Sequence, residues 1–300
     1  MKAVVLHEVD GDLDIEDVPE PEGEDVVDVK AAGVNFADVL MRRGRYPQMP
    51  ELPYVLGSEV AGDLHGKRVA ALPRHSGGGY AERVGVDPEW AFELPEHATY
   101  AEGASFLTTY LTAFVPLMRL ARPKPDSTVL VHAGSGGVGV AAIQIAKFTG
   151  ATVVATASTD EKRAFAREQG ADDVRGYDEL DDVRADVVID PVGGDVFTQS
   201  LRLLNPLGSI VAIGFAGGQW QPVEPALLVG RNVSVVGFYL GRLMALRRDY
   251  VRECVDELVA LWRRGVLRPV VGATFPLARA ADAHALIERR EHVAKVVLEP

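Results

Sequence analysis

A glycine-rich turn between an apolar strand and an apolar helix constrains this chain more than any other feature. Residues 129–139 read Val-Leu-Val-His-Ala-Gly-Ser-Gly-Gly-Val-Gly, and three of the glycines have the G-x-G-x-x-G spacing. Glycines at this spacing let the strand turn tightly, let the backbone approach a pyrophosphate and let the helix begin close to the sheet. A helix over 138–148 and a second strand over 151–156 follow, so the turn predicts a dinucleotide site rather than a packing turn. The residues predicted to hold the pyrophosphate are Gly134, Ser135, Gly136, Gly137, Val138 and Gly139.

The end of the second strand indicates which nicotinamide nucleotide is bound. Residues 156–158 are Thr-Ala-Ser, with no acid at the place where an NAD site usually holds the ribose hydroxyls. Ser158 has the capping-box spacing to Glu161 for a helix over 160–169. Ser158 and Lys162 also supply a hydroxyl and a cation for a ribose 2′-phosphate. We therefore predict NADP rather than NAD, and the alternative left open is that Ser158 only caps the helix and Lys162 is only solvated.

The order of short runs predicts two architectures in one chain. Residues 1–100 alternate in short strand-like runs separated by turns, with one helical insertion near 35–43, which predicts an irregular β-barrel. After about residue 104, strands and helices alternate, which predicts a doubly wound parallel sheet of Rossmann type covered on both faces. The strands predicted for this sheet are 128–132, 151–156, 185–190, 209–214 and 233–238. An amphipathic helix over 246–264 and a strand over 294–298 follow. The predicted fold class is α/β.

Charge and cysteine content exclude several classes of function. The chain has 31 Lys and Arg against 43 Asp and Glu, a net charge of −12, which argues against nucleic acid or an anionic membrane as a partner. Cys254 is the only cysteine, so neither a disulfide framework nor a zinc site of several thiolates is available. The uncharged stretches 127–146 and 203–223 are broken by glycine or proline and do not predict membrane spans. The charged first residues are not typical of a secretory signal, so we expect a soluble cytoplasmic protein.

Seven short motifs are spread over nearly the whole chain. They are Gly33-Val34-Asn35-Phe36-Ala37-Asp38, Gly57-Ser58-Glu59-Val60-Ala61-Gly62, Leu107-Thr108-Thr109-Tyr110, residues 131–147, Asp190-Pro191-Val192-Gly193-Gly194, Ile213-Gly214-Phe215 and Lys295-Val296-Val297-Leu298. Together they resemble the medium-chain dehydrogenase/reductase superfamily, and within it the zinc-free quinone oxidoreductase (zeta-crystallin-like) branch. The resemblance implies a GroES-like catalytic domain of residues 1–110 and 241–300. It implies that this domain encloses a Rossmann NADP-binding domain of residues 111–240, with the cofactor in the cleft between them.

The resemblance also bears on the metal and on the catalytic residues. Zinc-dependent relatives carry Cys at the position of Asn35 and His at the position of Ser58, and the seven histidines show no ligand spacing, so we expect no catalytic zinc. The resemblance implies that Asn35 and Thr108 line the nicotinamide pocket and that Tyr46 closes the substrate side. Two alternatives remain open, namely that Thr108 only satisfies a helix turn and that Tyr46 only anchors a loop.

Two further groups are implied at the ends of the cofactor. Those implied to surround the 2′-phosphate are Ser158, Lys162 and Tyr177, and those whose backbone is implied to hold the carboxamide are Gly214, Phe215, Phe238 and Tyr239. Three features depart from the family. Leu40 replaces a tyrosine that some relatives place near the nicotinamide, Ala294 stands where a glycine is common, and residues 62–68 form a much shorter barrel connection. We expect the shortened connection to remove a turn of the barrel.

These features predict zinc-independent hydride transfer from NADPH to a quinone or a related conjugated carbonyl compound. Quinones need less help than simple carbonyls, because the reduced ring spreads its charge, and the protein mainly positions the reactants. A short-chain dehydrogenase is excluded, because none of the eight tyrosines begins a Tyr-x-x-x-Lys motif. An enal or enoyl-thioester reductase of the same superfamily is the alternative. Outside enzymes, the alternative is a cofactor-binding, crystallin-like protein with a structural or nucleic-acid role.

The final strand of the parallel sheet bears on assembly. Residues 233–238 form an apolar run that we expect at the edge of the sheet, where a strand can pair with a second copy across a twofold axis. By analogy with relatives, we expect a homodimer.

Overall fold

Two compact units make up the protein. The structure is a computed structural model that describes residues 1–75 and 77–300. Unit 1 contains Met1–Thr108 and Pro269–Pro300, and unit 2 contains Thr109–Arg268. The first boundary lies close to the expected 110/111. The second lies well after the expected 240/241, so residues 241–268 belong to unit 2 and not, as the sequence predicted, to the catalytic domain.

The secondary structure of the described residues is numbered here along the whole chain. The strands are β1 (Lys2–Leu6), β2 (Asp14–Asp17), β3 (Val26–Val34), β4 (Tyr54–Val55), β5 (Val60–Leu64), β6 (Lys67–Pro73), β7 (Arg83–Glu93), β8 (Thr128–Val131), β9 (Thr152–Thr156), β10 (Asp173–Arg175), β11 (Ala185–Asp190), β12 (Leu204–Ala212), β13 (Ser234–Gly237), β14 (Val271–Pro276) and β15 (Lys295–Glu299). The helices are α1 (Phe36–Arg42), α2 (Tyr100–Gly103), α3 (Leu107–Phe114), α4 (Gly137–Phe148), α5 (Asp160–Glu168), α6 (Gly194–Leu203), α7 (Pro225–Arg231), α8 (Leu240–Leu246), α9 (Arg248–Arg263) and α10 (Ala280–Glu288). A π-helix spans Val115–Ala121 and a short 3₁₀-helix spans Leu277–Arg279.

Unit 1 contains the irregular barrel that the sequence predicts. A small sheet has the strand order β2-β1-β4, and a larger sheet has the order β14-β15-β3-β5-β6-β7. Strand β3 also pairs with β7, which closes β3, β5, β6 and β7 on themselves. Val27 and Val29 point into the barrel core, as their period-two spacing predicts. A register shift after Val29 places Ala31 in a separate buried cluster.

The shortened 62–68 connection is a tight hairpin. Strands β5 and β6 remain paired up to Leu64 and Lys67, which leaves His65 and Gly66 as a two-residue turn. Both turn residues have positive φ angles, 51° and 76°, as a type I′ turn requires. The short connection therefore joins two barrel strands directly.

Unit 2 is built on six parallel strands in the order β10-β9-β8-β11-β12-β13. Counted from β8, this is the 3-2-1-4-5-6 order of a doubly wound sheet, so the topological switch point lies between β8 and β11. Val129, Leu130 and Val131 of the central strand β8 are fully buried, as expected of a strand covered on both faces. Strand β13 pairs with β12 at one edge, which confirms the predicted edge position of the final strand.

Some elements were not predicted from the sequence, among them β2, β10, β14 and α10. Strands β2 and β10 are short and rich in acids, so they lack the apolar alternation that marks a strand. The long amphipathic helix was predicted, but it packs within unit 2. Its Glu257 Oε1 accepts a hydrogen bond from Arg119 Nη2 at 2.5 Å, and Cys254 on the same helix is fully buried. Because this helix packs against unit 2, that unit extends to Arg268 and does not end at residue 240.

The helical stretch Tyr100–Ala121 is the one described segment long and apolar enough to cross a membrane. Of its most apolar window, 67% is buried inside the protein, as in the core helix of a globular protein. Helix α3 ends at Phe114, where the chain continues as a π-helix whose first turn contains Pro116. Proline has no N–H to continue the α-helical hydrogen bonds.

Candidate functional site

The predicted cofactor residues of unit 2 all follow the carboxyl ends of its parallel strands. They are the glycine turn after β8, Ser158 and Lys162 after β9, Tyr177 after β10, Gly214 and Phe215 after β12, and Phe238 and Tyr239 after β13. In doubly wound sheets, ligands bind outside this edge, at the switch point. The topology therefore brings these residues to the correct edge of the sheet, although their roles there stay predictions.

The glycine turn has the geometry that a pyrophosphate site needs. A Cβ on Gly139 would lie 2.1 Å from the Ala133 carbonyl oxygen, so only glycine fits where the helix packs against the turn. Gly136 is the N-cap of α4, and a Cβ there would meet nothing closer than 3.5 Å, so packing does not require this glycine. Residues 137–139 form the first turn of the helix, and their backbone N–H groups point out of its amino-terminal end. They are suited to bind an anion.

Thr159, not Ser158, caps helix α5. The Thr159 Oγ1 accepts a hydrogen bond from the Lys162 backbone N–H at 3.3 Å, and the helix begins at Asp160. The predicted cap at Ser158 is therefore wrong, because the chain enters the helix one residue later and Thr159 has the correct spacing to Lys162. Ser158 is exposed and lies outside the cap, so its hydroxyl is not committed to the helix.

His132, directly after β8, connects several elements at this edge. Its Nδ1 lies 3.0 Å from Thr156 Oγ1, its Nε2 lies 2.7 Å from Ser200 Oγ, and its ring stacks on Tyr177 with centroids 5.9 Å apart. Ser200 donates its own hydrogen to the Val196 carbonyl. Nε2 therefore carries the imidazole hydrogen, and Nδ1 accepts from Thr156. Burial lowers the pKa of His132 to about 3, so the ring stays neutral.

Asp190 ends β11 on the other side of the switch point. Its Oδ1 accepts the backbone N–H groups of Val192 and Gly193 at 2.8 and 3.0 Å. Its buried Oδ2 has no hydrogen-bond partner among the described residues. Burial also raises the pKa of this carboxyl group. A buried acceptor without a partner at this edge fits a site that a ligand completes.

The residues predicted to hold the carboxamide lie next to this acid in the sheet order. Phe215 packs its ring 4.8 Å from that of Trp220. The Phe238 N–H donates to the Ala212 carbonyl at 3.0 Å, and Tyr239 precedes helix α8 as its N-cap. All three predicted aromatic residues are half-buried, so their backbones lie at an accessible edge.

In unit 1, Glu59 connects two of the predicted catalytic residues. Its Oε2 accepts the Thr108 backbone N–H at 3.0 Å, and its Oε1 accepts Asn35 Nδ2–H at 3.0 Å. Lys295 Nζ lies 2.6 Å from Glu59 Oε1 and 2.5 Å from Asn35 Oδ1. Glu59 is 0% exposed and Lys295 is 4% exposed. Neither was predicted as a site residue.

Ser58 extends this cluster. Asn35 Nδ2 lies 3.3 Å from Ser58 Oγ, so the two positions that hold zinc ligands in the zinc-dependent relatives are bonded to one another here. Because a lysine ammonium can only donate, its contact with Asn35 Oδ1 fixes which way the amide faces. We define the cluster as Asn35, Ser58, Glu59, Thr108 and Lys295.

Asp38 fixes the main chain of Asn35. Its Oδ2 accepts the Asn35 backbone N–H at 2.7 Å and the Tyr80 hydroxyl at 3.3 Å, and the same hydroxyl lies 3.2 Å from His284 Nε2. Burial raises the pKa of Asp38 to about 6 and lowers the pKa of His284 to about 3. The backbone and the side chain of Asn35 are thus held by separate buried groups.

Three other positions singled out in the sequence also lie in unit 1. Tyr46 is half-buried in the turn after α1, and its role on the substrate side stays a prediction. Leu40 is half-buried within α1. Ala294 has a φ of 49°, in the left-handed region that favours glycine, which explains why a glycine is common there in relatives.

Clusters of metal-binding side chains are absent from the described part of the chain. Over residues 1–75 and 77–300, no group of three or more His, Cys, Asp or Glu side chains is placed to hold a metal ion.

Comparison with known proteins identifies the family. Residues 21–96 match the alcohol dehydrogenase GroES-like domain, and residues 137–260 match the zinc-binding dehydrogenase family. The rat protein named quinone oxidoreductase-like protein 2 is 34% identical over 99% of this chain and 91% of its own length. The chain belongs to the medium-chain dehydrogenase/reductase superfamily. The resemblance seen in the seven motifs is thereby confirmed.

Solved members of the superfamily confirm the fold. The quinone oxidoreductase of Thermus thermophilus, solved alone and in complex with NADPH, is 37% identical with a TM-score of 0.89, and all of both chains is covered. A Rossmann sheet and a GroES-like barrel are therefore both established for this chain. The mouse synaptic vesicle membrane protein VAT-1 homolog is 32% identical over 91% of this chain and 75% of its own length. Members of the superfamily thus carry names for different functions.

Proposed function

We propose that this protein is an NADPH-dependent quinone oxidoreductase that reduces a quinone or a related conjugated carbonyl compound without zinc. The observation that carries the proposal is the full-length similarity to the Thermus thermophilus quinone oxidoreductase, which was solved with NADPH. The glycine turn supports it independently, because residues 137–139 open a helix at the carboxyl end of a central parallel strand.

The preference for NADPH is supported at the end of β9. Residues 156–158 offer no carboxylate to the ribose hydroxyls, and a carboxylate there would repel a phosphate. Ser158 is exposed and outside the helix cap, Lys162 lies in the first turn of α5, and Tyr177 is braced by the His132 ring. These three residues supply the hydroxyls and the positive charge that a 2′-phosphate requires.

Zinc does not fit the residues at the positions of the zinc ligands. Asn35 Oδ1 already accepts from the Lys295 ammonium at 2.5 Å, so a metal ion on that oxygen would lie beside an existing positive charge. An amide and a hydroxyl are also poor substitutes for the thiolate and imidazole that zinc prefers. We therefore propose that the reaction proceeds without a metal.

The residues of the chain bind and orient the reactants. NADPH, when bound, supplies a hydride ion, which is two electrons and one proton. The amides of residues 137–139 hold the pyrophosphate, and Ser158, Lys162 and Tyr177 hold the 2′-phosphate. In unit 1, the buried cluster fixes Asn35 so that the substrate side is polar and rigid. Catalysis then depends mainly on position, as the chemistry of quinones allows.

A panel of electron acceptors tests the proposal. Purified protein is mixed with NADPH and either menadione, crotonaldehyde or crotonyl-CoA, and the loss of NADPH absorbance is followed, with NADH in parallel. We expect the fastest loss with menadione, and with NADPH rather than NADH. Preferred reduction of the crotonyl compounds would instead favour an enal or enoyl-thioester reductase. Binding of NADPH without reduction of any acceptor would favour a crystallin-like, cofactor-binding protein.

We further propose a cytoplasmic homodimer that forms along the edge strand β13. The support is the position of β13 at the end of the sheet and the apolar, half-buried side chains of Val235 and Val236. The net charge of −12 disfavours binding to anionic membranes or nucleic acid. Sedimentation of a lone 32.3 kDa species at micromolar concentration would contradict the dimer, and recovery in the membrane fraction of cells would contradict the location.

A further inference from the structure

Ser58 is joined through a single amide to the buried ion pair of Lys295 and Glu59. Lys295 Nζ donates to Asn35 Oδ1 at 2.5 Å, and Nδ2 of the same amide lies 3.3 Å from Ser58 Oγ. The other Nδ2 hydrogen goes to Glu59 Oε1, so every polar atom of the Asn35 side chain is engaged. In the described structure the Ser58 hydroxyl accepts this one bond, and its own hydrogen is not used. The side chain is half-buried, so another molecule can reach it.

We propose that the Ser58 hydroxyl donates the hydrogen bond that stabilises the carbonyl oxygen of the substrate during reduction. Asn35 and Lys295 act as positioning residues that orient and polarise this hydroxyl. The inference rests on the proposed function, because it concerns a carbonyl that accepts hydride. It assigns the contact with the substrate to Ser58 rather than to Asn35, whose amide hydrogens are both taken within the cluster.

The direction of the hydrogen bonds gives the physical reason. The ammonium donates to the amide oxygen, the amide donates to the hydroxyl, and the hydroxyl is left to donate outward. Hydrogen bonds that run in one direction polarise one another, and they do so most strongly where water is excluded. Lys295 and Glu59 are buried together as an ion pair, so water does not weaken the hydrogen bonds that lead to Ser58. The Ser58 hydroxyl is therefore a stronger donor than an isolated serine.

The chemistry of the substrate uses such a donor. A quinone that receives a hydride ion carries negative charge on one carbonyl oxygen until a proton arrives from solvent. One quinone, one NADPH and one proton thus give one hydroquinone and one NADP⁺. Ser58 stabilises the charged oxygen and keeps its own hydrogen, so no further acid or oxidant is required. A donor aimed at developing charge accelerates the reaction because its bond is stronger in the transition state than in the bound substrate.

Two variants of Ser58 test the proposal by kinetics. Removing one such donor lowers kcat by about 100- to 1,000-fold in enzymes where the charge is localised. Because a quinone spreads its charge, we expect Ser58→Ala to lower kcat with menadione by roughly tenfold to a hundredfold, with KM little changed. Ser58→Thr keeps a hydroxyl and should retain most of the activity. A Ser58→Ala variant with the kcat of the wild type would overturn the proposal.

Asn35→Leu tests the link to Lys295. A leucine of similar size removes the amide between Lys295 and Ser58 and adds no charge beside Glu59, so the ion pair of Lys295 and Glu59 is kept. We expect Asn35→Leu to lower kcat, and the double variant with Ser58→Ala to be no worse than Ser58→Ala alone. Losses that multiply would show that the two residues act independently, and would overturn the positioning role.

Infrared spectra separate this inference from the proposed function, since they need neither NADPH nor turnover. Menadione with isotope-labelled carbonyls is bound to the wild type, to Ser58→Ala and to Ser58→Thr. We expect a lower carbonyl stretching frequency in the wild type and the threonine variant than in the alanine variant. Equal frequencies would overturn the role of Ser58 even if quinones are reduced. A shift without any reduction would support Ser58 and count against the proposed function, and a protein that binds no quinone would overturn both.

Discussion

Lys295 and Glu59 form an ion pair inside unit 1, with 2.6 Å between Nζ and Oε1 and almost no exposed surface on either residue. Lys295 begins strand β15, whereas Glu59 directly precedes β5, and 236 positions separate them in the sequence. Burying two charges costs free energy that their attraction offsets only when the geometry is good. The pair therefore holds the cluster in one arrangement more than it stabilises the fold.

The two residues of this pair should be strongly coupled in stability. Lys295→Met or Glu59→Gln alone leaves a buried charge without its partner, and each should lower the free energy of unfolding by about 3–5 kcal/mol. The double variant should be much less destabilised than the sum of the two. Urea unfolding of the four proteins measures the coupling. Lys2→Met is the control, because its ion pair with Asp17 is exposed and screened by solvent, so its loss should change the stability little. Additive losses would refute a coupled pair.

The glycines of the turn should divide between packing and binding. Gly139→Ala places a Cβ against the Ala133 carbonyl, so we expect a lower melting temperature, equivalent to about 1–3 kcal/mol. Gly136→Ala has room, so its melting temperature should change little. Its Cβ would project from the N-cap, where the pyrophosphate approaches. It should weaken NADPH about tenfold or more, as measured by cofactor fluorescence. Unchanged affinity in Gly136→Ala would place the pyrophosphate elsewhere.

Lys162 should distinguish the two nicotinamide nucleotides. A charge-assisted hydrogen bond contributes about 1.5–3 kcal/mol, so Lys162→Ala should weaken NADPH by about tenfold to a hundredfold and leave NADH almost unchanged. Lys124→Ala removes the same charge from an exposed loop of unit 2 and serves as the control. Dissociation constants for both nucleotides decide the matter. Equal weakening of NADPH and NADH would show that Lys162 does not contact the 2′-phosphate.

Replacing Ala294 by glycine should stabilise the protein. Its φ of 49° costs an L-residue about 1–2 kcal/mol of strain, which a glycine would relieve. The greater freedom of glycine in the unfolded chain offsets about 0.4–1 kcal/mol of this gain. We expect a net gain of up to about 1 kcal/mol in the free energy of unfolding. Ala164→Gly, in the exposed part of helix α5, should lose about 1 kcal/mol. A loss in Ala294→Gly would mean that the methyl group contributes more to packing than the backbone strain costs.

His132 should make unit 2 sensitive to acid. Its pKa is lowered from 6.5 to about 3 by folding, so the unfolded state binds the extra proton. The contribution of the neutral His132 to the free energy of unfolding is present above pH 6.5. It is lost as the pH falls from there towards 3, by about 1.4 kcal/mol per pH unit. His132→Gln keeps an acceptor for Thr156 and a donor for Ser200, and it should remove this part of the slope. His97→Gln, which replaces an exposed histidine of unit 1, is the control. Urea unfolding between pH 6.5 and 4.5 gives the comparison.

The parallel sheet and its binding edge were predictable because their signals are local. A strand, a glycine turn and a helix lie within about twenty consecutive residues, and parallel strands necessarily bring their carboxyl ends to one edge. The position of Ser158 directly after β9 is then enough to place it at this edge of the sheet. The helix cap was misplaced by one residue because Ser158 and Thr159 have the same chemistry and both have plausible spacing.

The cluster in unit 1 was not predictable in the same way. Glu59 sits next to an apolar strand and Lys295 begins another, and each resembles an ordinary charge at the end of a strand. Only their pairing across the fold shows that both are buried. His132 gives a similar lesson, since its partners Thr156 and Ser200 lie on other elements. An ionisable residue within an apolar run of sequence indicates that its side chain is buried, but it does not indicate which residue of another element it bonds to. The predicted position of the second unit boundary differed from the structure, because the sequence of an amphipathic helix does not show which unit its apolar face packs against.

Strand β15 lies between β14 and β3 in the larger sheet of unit 1, yet it follows all of unit 2 in the chain. A ribosome therefore delivers the complete parallel sheet before it delivers β14 and β15. Until then the side of β3 that pairs with β15 has no neighbouring strand, and Glu59 has no ammonium beside it. We expect this interval to be the stage of biosynthesis at which the polypeptide depends most on chaperones.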